Sequence, residues 1–390
     1  MVALETALNL VLSSVRVKGI ESTDFQQASG RVLAEDVFSD TDMPPFNKSA
    51  VDGYACRRED LASNLEVVEI IPAGRQPEKI IVPGTCSKIM TGGLVPQGAD
   101  TVLMVEDVVE TGKNNIRLAK EKTAANICYQ GEDVKQGQLV LPKGTLIRPQ
   151  EIAVLASVGY VRPKVYRKPI VGVISTGDEL VEPSENPQLS QIRNSNASQL
   201  IAQIMRAGAI PEYFGIALDT EDSTRELISA ALNKCDVVLL TGGVSMGDFD
   251  YVPAVLRDLG IQLLFESIAV QPGRPTIFGT GNSTCLFGLP GNPVSSFVQF
   301  EFLVRPLLSA MMGHQYKPLV IKLPMGVSYS RRNTKRKSLL PVFINENKVY
   351  PVEYHGSAHI HSYIFAEGIV AVEIGKPTLE TGEWVDVRQI

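Results

Sequence analysis

The chain has 390 residues, of which 44% are hydrophobic and 21% are charged. This length exceeds what one ordinary hydrophobic core needs, so two to four domains are expected. The net charge is −6, which argues against a nucleic-acid partner because such proteins carry a basic surface. No apolar run approaches the roughly 20 residues that a membrane-spanning helix requires, so no membrane partner is expected.

The cysteine pattern bears on the cellular compartment. The five cysteines are odd in number, and no two of them form a C-x-x-C pair. This spacing argues against a zinc ribbon and against a disulfide framework, and it fits a reducing cytoplasm. The cysteines are Cys56, Cys86, Cys128, Cys235 and Cys285.

Residues 1–168 are predicted to form an N-terminal linker and β-rich domains. Leu4, Leu8, Val11 and Val15 fall on one helical face, which predicts an amphipathic docking helix at the start of the chain. Short apolar stretches separated by proline and glycine turns follow, as in VVEIIPAGRQPEKIIVPGT, and this spacing is typical of β-strands. A short helix is predicted in PQEIAVLASVG.

Strands and helices alternate in residues 169–314. Because the strands are continuous apolar runs, the pattern predicts a doubly wound parallel sheet covered on both faces. Ser223 and Glu226 have the spacing of a capping box, Pro293 suits a first helical position, and Gly313 suits a helix end. The predicted strands are PIVGVIST, YFGIAL, DVVLLTGG, LLFESIAV and STCLFGL, and the predicted helices lie in NSNASQLIAQIMRAG, STRELISAALNK, DYVPAVLRDLG and the apolar run after Pro293.

Residues 315–390 contain alternating stretches such as VYPVEY and WVDVRQI, which predict a small β-barrel or sandwich. A basic run, RRNTKRK at 331–337, is either a solvated hairpin loop or an anion-attracting rim. His359 and His361 would share one face of an alternating strand, although no cysteine or carboxylate nearby completes a metal site. The expected fold class is multidomain α/β plus β, with a central doubly wound parallel α/β domain, β-rich N-terminal domains and a small C-terminal β-barrel.

Three strands of the α/β region end in glycine and polar residues. Ligands of an open parallel sheet bind beyond the carboxyl ends of its strands, and glycines there allow backbone N–H groups to approach a phosphate or another oxyanion. The carboxylates at the same ends are explained if a hard divalent cation, Mg²⁺, lies between them and the phosphates. Each end taken singly could be only a turn. The three ends are ISTGDELVEP, with Thr176, Gly177, Asp178 and Glu179; TGGVSMGDFD, with Gly242, Gly243, Ser245, Asp248 and Asp250; and GLPGNP, with Gly288, Pro290, Gly291 and Asn292.

The N-terminal region has similar motifs outside any α/β unit. MPPFNKSAVDGYA leads to Asp52, and IMTGGLVPQGADTVLMVED contains Thr91. Polar residues in loops stiffened by proline suit a rigid site, and surface turns are the alternative explanation. The chain lacks H-E-x-x-H and Walker A motifs, so zincin and P-loop interpretations lose their usual support.

Taken together, the motifs closely resemble the molybdopterin molybdotransferase family, MoeA in bacteria and the E domain of gephyrin in animals. The resemblance spans nearly the whole chain. It rests on PPFNKSAVDGYA, IMTGGLVPQGADTVLMVED, ISTGDEL, TGGVSMGDFDYV, PGRP, GLPGNPVSSF and GEWVDV.

The resemblance implies a function in molybdenum cofactor synthesis. Adenylylated molybdopterin would be bound, its pyrophosphate bond hydrolysed, and molybdate placed on the dithiolene with release of AMP. It also implies an elongated homodimer whose sites are shared between two chains. The implied catalytic residues are Asp52, Thr91, Glu179, Asp219 and Asp250, with Glu179 and Asp250 as ligands of Mg²⁺. The implied cofactor-binding residues are Thr176, Gly177, Asp178, Gly242, Gly243, Ser245, Arg274, Pro290, Gly291, Asn292 and Ser357.

Two positions depart from the family pattern. Gln271 precedes PGRP where a lysine is common, and Val342 lies where an arginine is expected. Both changes would remove positive charge from an oxyanion site, and Arg274 or the basic run at 331–337 could compensate. Alternatives are a tungstate-inserting homologue, a pterin-nucleotide pyrophosphatase that inserts no metal, and a scaffold of the gephyrin type.

Overall fold

The computed structural model describes residues 1–120, 122–243, 252–353 and 356–390. Its α/β region carries the largest hydrophobic core, and β-rich parts lie before and after it in the chain. None of the helices in these ranges is long and apolar enough to cross a membrane. All five cysteines are free.

The N-terminal region contains a six-stranded sheet in the order β7-β4-β6-β5-β9-β8 and three two-stranded pairs, β1-β12, β10-β3 and β11-β2. The strands are short, as predicted, and proline- and glycine-containing segments connect them. The helices are α1 (Leu4–Ser13) and α2 (Pro149–Ser157), and the strands are β1 (Ile20–Ser22), β2 (Val37–Phe38), β3 (Lys48–Ser49), β4 (Gly53–Cys56), β5 (Leu65–Ile71), β6 (Thr85–Ile89), β7 (Thr101–Met104), β8 (Val108–Gly112), β9 (Asn115–Leu118), β10 (Ile127–Cys128), β11 (Leu139–Leu141) and β12 (Lys164–Tyr166).

Helix α1 is amphipathic, as predicted. Its buried residues Leu4, Ala7 and Val11 belong to the same hydrophobic core as the α/β strands and the helix that ends at Met311. The helix therefore packs with the α/β region instead of with the β-rich sheets that follow it in sequence.

The α/β region forms a six-stranded sheet in the order β16-β13-β17-β21-β20-β18. The first four strands are parallel, and hydrophobic cores cover both faces, as the sequence predicted. The helices are α3 (Ser195–Arg206), α4 (Glu221–Lys234), α5 (Val252–Asp258), α6 (Pro293–Gln299) and α7 (Arg305–Met311). The strands are β13 (Ile170–Thr176), β14 (Leu180–Val181), β15 (Ile192–Arg193), β16 (Ile210–Ala217), β17 (Val237–Thr241), β18 (Gln262–Phe265), β19 (Val270–Gln271), β20 (Ile277–Thr280) and β21 (Cys285–Leu289).

Two strand predictions in this region need correction. Strand β20 was not predicted; it pairs antiparallel with β21 and with β18, so the sheet is parallel only in its centre. The link from β20 to β21 is too short for a crossover helix, which makes the antiparallel hairpin the accessible connection. The stretch LLFESIAV is two strands, because β18 stays in this sheet whereas β19 pairs with a C-terminal strand.

The predicted capping box at Ser223 is wrong. Helix α4 begins earlier, and Thr220 is its N-cap, accepting a hydrogen bond from the Ser223 N–H at 3.3 Å. The Ser223 hydroxyl instead accepts from Leu218 N–H at 3.0 Å. Acidic residues fill the first turn from Glu221, which places negative charge at the positive end of the helix.

The long apolar helix runs from Pro293 to Met311, as predicted, with Pro293 in its first turn and Gly313 at φ 72° beyond its end. A π-helical turn, Phe300–Val304, joins α6 to α7 immediately before Pro306. Proline lacks the N–H that the regular ladder requires, which accounts for the local change in hydrogen bonding.

The C-terminal region is a small closed barrel, as predicted. Its sheet has the order β19-β24-β26-β28-β22, strand β25 pairs with β24, and a bridge between Met325 and Val349 joins the end of β22 to β25. The strands are β22 (Val320–Pro324), β23 (Tyr329–Ser330), β24 (Lys337–Asn345), β25 (Lys348–Pro351), β26 (Gly368–Val372), β27 (Thr378–Leu379) and β28 (Trp384–Gln389).

Two features of the barrel bear on sequence predictions. Arg331 of the basic run donates to the carbonyls of Lys376 and Arg336, and Lys337 pairs with Glu5 and Glu373, so these side chains stabilise the structure. His359 and His361 do not lie on a strand, because residues Ile360–Phe365 form a 3-10 helix. The described residues contain no group of three or more metal-ligating side chains, and His355 lies outside them.

Candidate functional site

A pocket of about 630 Å³ lies at the carboxyl ends of β13, β17 and β21. The structure thus brings the three glycine-rich strand ends together. Three further segments complete the lining: residues 192–196 at the start of α3, Pro275, and Ala358 with Ile360 from the C-terminal region. The lining residues are Thr176, Glu179, Leu180, Ile192, Arg193, Asn194, Ser195, Asn196, Thr241, Gly242, Gly243, Pro275, Pro290, Gly291, Asn292, Pro293, Ala358 and Ile360.

Gly242 and Gly243 form the tightest part of this wall. Both have positive φ, 90° and 62°. A Cβ at position 242 would lie 2.6 Å from the Thr176 carbonyl oxygen, and one at 243 would lie 2.9 Å from a methyl group of Val252. Glycine is therefore required at both positions, and the exposed backbone can approach a ligand closely.

A chain of hydrogen bonds holds the strand ends in register. The Thr241 hydroxyl donates to the Ser175 hydroxyl at 3.2 Å, which donates to Oδ1 of Asn194 at 3.0 Å. Nδ2 of Asn194 donates to the Tyr213 hydroxyl at 3.0 Å, and that hydroxyl donates to Glu182 at 2.7 Å. Burial, together with the hydrogen bond to Glu182, raises the pKa of Tyr213, so the phenol stays protonated and able to donate.

The acidic residues that follow β13 and β16 differ in their position relative to the pocket. Glu179 is exposed in the pocket lining, and a Cβ on Gly177 would overlap its carboxylate. Asp178 and Asp219 do not line the pocket. Each accepts a hydrogen bond from the other's backbone N–H, at 3.0 and 3.3 Å, and together they fix the turn beside it.

The third strand end is joined to the C-terminal region. Asn292 donates from Nδ2 to the Ser357 hydroxyl at 2.8 Å, and the Val294 N–H donates to the Ser357 carbonyl at 3.1 Å. Arg274 is exposed and directly precedes the lining residue Pro275. Gln271 is also exposed, whereas Val342 is completely buried in the barrel core and so does not face the pocket.

Asp52 and Thr91 lie in the β-rich region and do not line the pocket of their own chain. Oδ1 of Asp52 accepts from the Thr91 N–H at 2.6 Å and from its hydroxyl at 2.7 Å. These bonds stabilise the charged form and lower the pKa of Asp52, although its carboxylate remains exposed. The two residues form a preorganised anionic group facing solvent.

Two predicted site residues, Ser245 and Asp250, lie outside the described residues. Sequence reasoning did not single out the start of α3, although Asn194, Ser195 and Asn196 line the pocket. The motif NSNAS was interpreted as a helix start only. The available signal was the high proportion of polar residues in this motif. In the structure Asn194 caps the helix, and Asn196 donates to the Gly291 carbonyl at 2.7 Å.

Comparison with known proteins identifies the family. Three family models match in order: the MoeA N-terminal region (domain I and II) over residues 2–159, a probable molybdopterin binding domain over 172–310, and the MoeA C-terminal region (domain IV) over 327–390. The chain belongs to the MoeA family.

Curated relatives and solved structures agree with the MoeA family models. A molybdopterin molybdenumtransferase of Staphylococcus epidermidis is 34% identical, over 98% of this chain and 94% of that protein. One from Bacillus subtilis is 41% identical, over 72% of this chain and 68% of that protein. The crystal structure of a molybdopterin biosynthesis moeA protein from Pyrococcus horikoshii is 32% identical, covers both chains completely and has a TM-score of 0.87.

We predict that Gly242→Ala destabilises the α/β region, because an alanine there would be strained by its positive φ and would clash with Thr176. The expected loss is about 2–4 kcal/mol in the free energy of unfolding, from backbone strain and steric overlap together, measured by urea titration. Gly291→Ala is the matched control, since its new Cβ would meet nothing closer than 3.7 Å. Equal stability of the two variants would contradict the packing at Gly242.

Proposed function

We propose that the protein is a molybdopterin molybdenumtransferase, as its relatives from Staphylococcus epidermidis and Bacillus subtilis are named. The observation that carries this proposal is the pocket in which three glycine-rich strand ends meet, within the region that matches a molybdopterin binding domain. A volume of about 630 Å³ suits a ligand of nucleotide or pterin size. The protein would act in the cytoplasm.

The proposed substrates are adenylylated molybdopterin and molybdate, and the products are AMP and molybdenum cofactor. Backbone N–H groups at Gly242 and Gly243 would approach the phosphates, which a side chain at either position would obstruct. Helix α3 begins at the pocket, and its partial positive charge favours an anion there. Asn292 and Ser357, already hydrogen-bonded to each other, would help to orient the ligand.

We further propose that Glu179 and Asp250 hold Mg²⁺. Support comes from Glu179, an exposed carboxylate placed beside the glycine loop where phosphates would bind. Oxygen ligands of this kind suit a hard divalent cation. Bound there, the ion would neutralise the charge on the phosphates, while Asp178 and Asp219 keep the loop that carries Glu179 in place.

Glu179→Gln tests the role of this pocket. Incubation with adenylylated molybdopterin, Mg²⁺ and molybdate should give AMP and active cofactor about 10²–10³-fold more slowly than the wild type, because one charged contact at the reacting centre is lost. Glu185→Gln makes the same change on an exposed residue of the next loop, beyond β14, that does not line the pocket, and it should leave the rate unchanged.

The same incubation separates the possible activities. AMP release without cofactor formation in the wild type would identify a pterin-nucleotide pyrophosphatase, and activity restricted to tungstate would identify a tungstate-inserting enzyme. Unreduced activity of Glu179→Gln would remove this carboxylate from the mechanism.

Gln271 should influence oxyanion binding. The residue is exposed at the end of β19, and the loop that follows carries Arg274 and the lining residue Pro275. Gln271→Lys should lower the molybdate concentration needed for half-maximal insertion and leave affinity for the pterin nucleotide unchanged, because only a charge near the loop is added. Loss of activity in Gln271→Lys would indicate a different arrangement of the oxyanion site.

We propose a homodimer in which Asp52 and Thr91 of one chain complete the pocket of the other. Support comes from the exposed, preorganised Asp52 carboxylate, which does not line the pocket of its own chain. A pocket open on one side also needs a second wall to exclude water during the reaction. In a two-fold dimer both sites would then contain residues of both chains.

Subunit exchange tests this arrangement. Asp52→Asn and Glu179→Gln, each weakly active alone, should recover up to half of the wild-type activity per mixed dimer, because one site then carries both substitutions and the other carries neither. Mass spectrometry confirms the exchange. Mixed dimers that remain as inactive as the parents would place the whole site within one chain.

A further inference from the structure

A second cleft, of about 790 Å³, lies far from the pocket along helix α3. The start of α3 lines the pocket, whereas its last residues, Met205 and Arg206, line the cleft. A helix of 12 residues is about 18 Å long. The other walls come from the N-terminal region at Gly30 and Gly144 and from residues 309–317. Neither the family comparisons nor the proposed reaction assigns a role to this cleft.

The cleft is lined by positive charge. Lys168, Arg206, Arg305 and Lys317 contribute to it, and no aspartate or glutamate is among its lining residues. Within the described part of the chain, the ammonium groups of Lys168 and Lys317 have no ion-pair partner. Such a concentration of uncompensated cations is suited to binding an anion.

The arginines of this cleft outnumber their carboxylate partner. Buried Glu301 accepts from Arg206 at 2.5 Å and from Arg305 at 2.9 Å, and its backbone carbonyl also accepts from Arg388 at 2.6 Å. Two guanidinium groups that line the cleft therefore share one carboxylate, which leaves one positive charge in excess. The Arg305 guanidinium also makes a cation–π contact with Tyr316, whose ring centroid lies 4.7 Å from the guanidinium carbon.

The basic residues are not needed to cap the helices that end here. At the end of α3, the carbonyls of Gln203 and Met205 accept from Ala207 and Gly208 N–H groups. At the end of α7, the Ser309 carbonyl accepts from Met312 and His314 N–H groups, and other last-turn carbonyls are paired similarly. Because backbone groups already satisfy these carbonyls, helix capping does not explain the lysines and arginines.

Apolar side chains also line the cleft. Val32 and Met312 are largely buried beside Leu146, and Met205 is exposed. A cleft lined by both cations and apolar side chains fits a ligand that has a charged group and a flat apolar body.

We propose that this cleft is a second binding site, for an organic phosphate such as a nucleoside diphosphate. Lys168 and Lys317 would pair with the phosphates alongside Arg206 and Arg305, and the ring would lie against Val32, Leu146 and Met312. Since α3 extends from this cleft to the pocket, an occupied cleft would hold the far end of the helix whose start lines the pocket.

Lysine footprinting tests the site directly, with ADP as the probe. ADP should slow acetylation of Lys168 and Lys317 by roughly tenfold at saturation, as read by mass spectrometry of the full chain. Lys322, which is exposed and does not line the cleft, is the internal control. Adenosine at the same concentration should not protect either residue, because it lacks the phosphates.

Calorimetry with variants separates the cleft from the pocket. The double variant Lys168→Gln/Lys317→Gln should weaken the ADP site in the cleft by roughly tenfold or more, and Lys322→Gln should change nothing. Binding of ADP with unchanged acetylation of Lys168 and Lys317, or unchanged affinity in the double variant, would overturn the proposal. Because footprinting needs no enzyme turnover, it succeeds or fails independently of the proposed transferase activity.

Discussion

The close contact of three backbones around Gly242 is the constraint on which the pocket depends. Its N–H donates to the Leu289 carbonyl at 3.2 Å, and a Cβ there would lie 2.6 Å from the Thr176 carbonyl oxygen. The ends of β13, β17 and β21 therefore meet without an intervening side chain. Parallel pairing of these strands places their carboxyl ends at one edge, and the glycine lets them approach one another there.

Buried hydrogen bonds also hold these strand ends together. Ser175 and Thr241 are nearly completely buried, and their hydroxyls are satisfied by each other and by Asn194. A buried polar network of this kind is favourable only when its members are paired. Asn194 meets that condition while it caps α3, so one side chain fixes both the strand ends and the start of a helix that lines the pocket.

Sequence patterns predicted the features that depend on local periodicity and on strand order. The parallel core, the apolar helix after Pro293 and the barrel followed from apolar spacing, and the meeting of three strand ends followed from the topology. Long-range contacts were not predictable in this way: Asn194 bonds to Tyr213 through space, and the burial of Val342 depends on barrel closure. The cap at Thr220 is local, but Thr220 and Ser223 are both residue types that cap helices, and the capping-box spacing favoured the wrong one. The roles of Asp52 and Asp250 stay predictions.

The two ends of α3 illustrate how a protein of net charge −6 can accommodate anions in different ways. At its start, an exposed carboxylate, Glu179, shares the lining with glycine backbone, so a phosphate there would need a cation between the two negative groups. At its end, the lining contains lysines and arginines without a carboxylate, so an anion would be held directly. The first arrangement suits chemistry at a phosphate, because charge can be neutralised by an exchangeable ion. The second suits reversible binding, because an anion held directly by lysines and arginines needs no exchangeable ion.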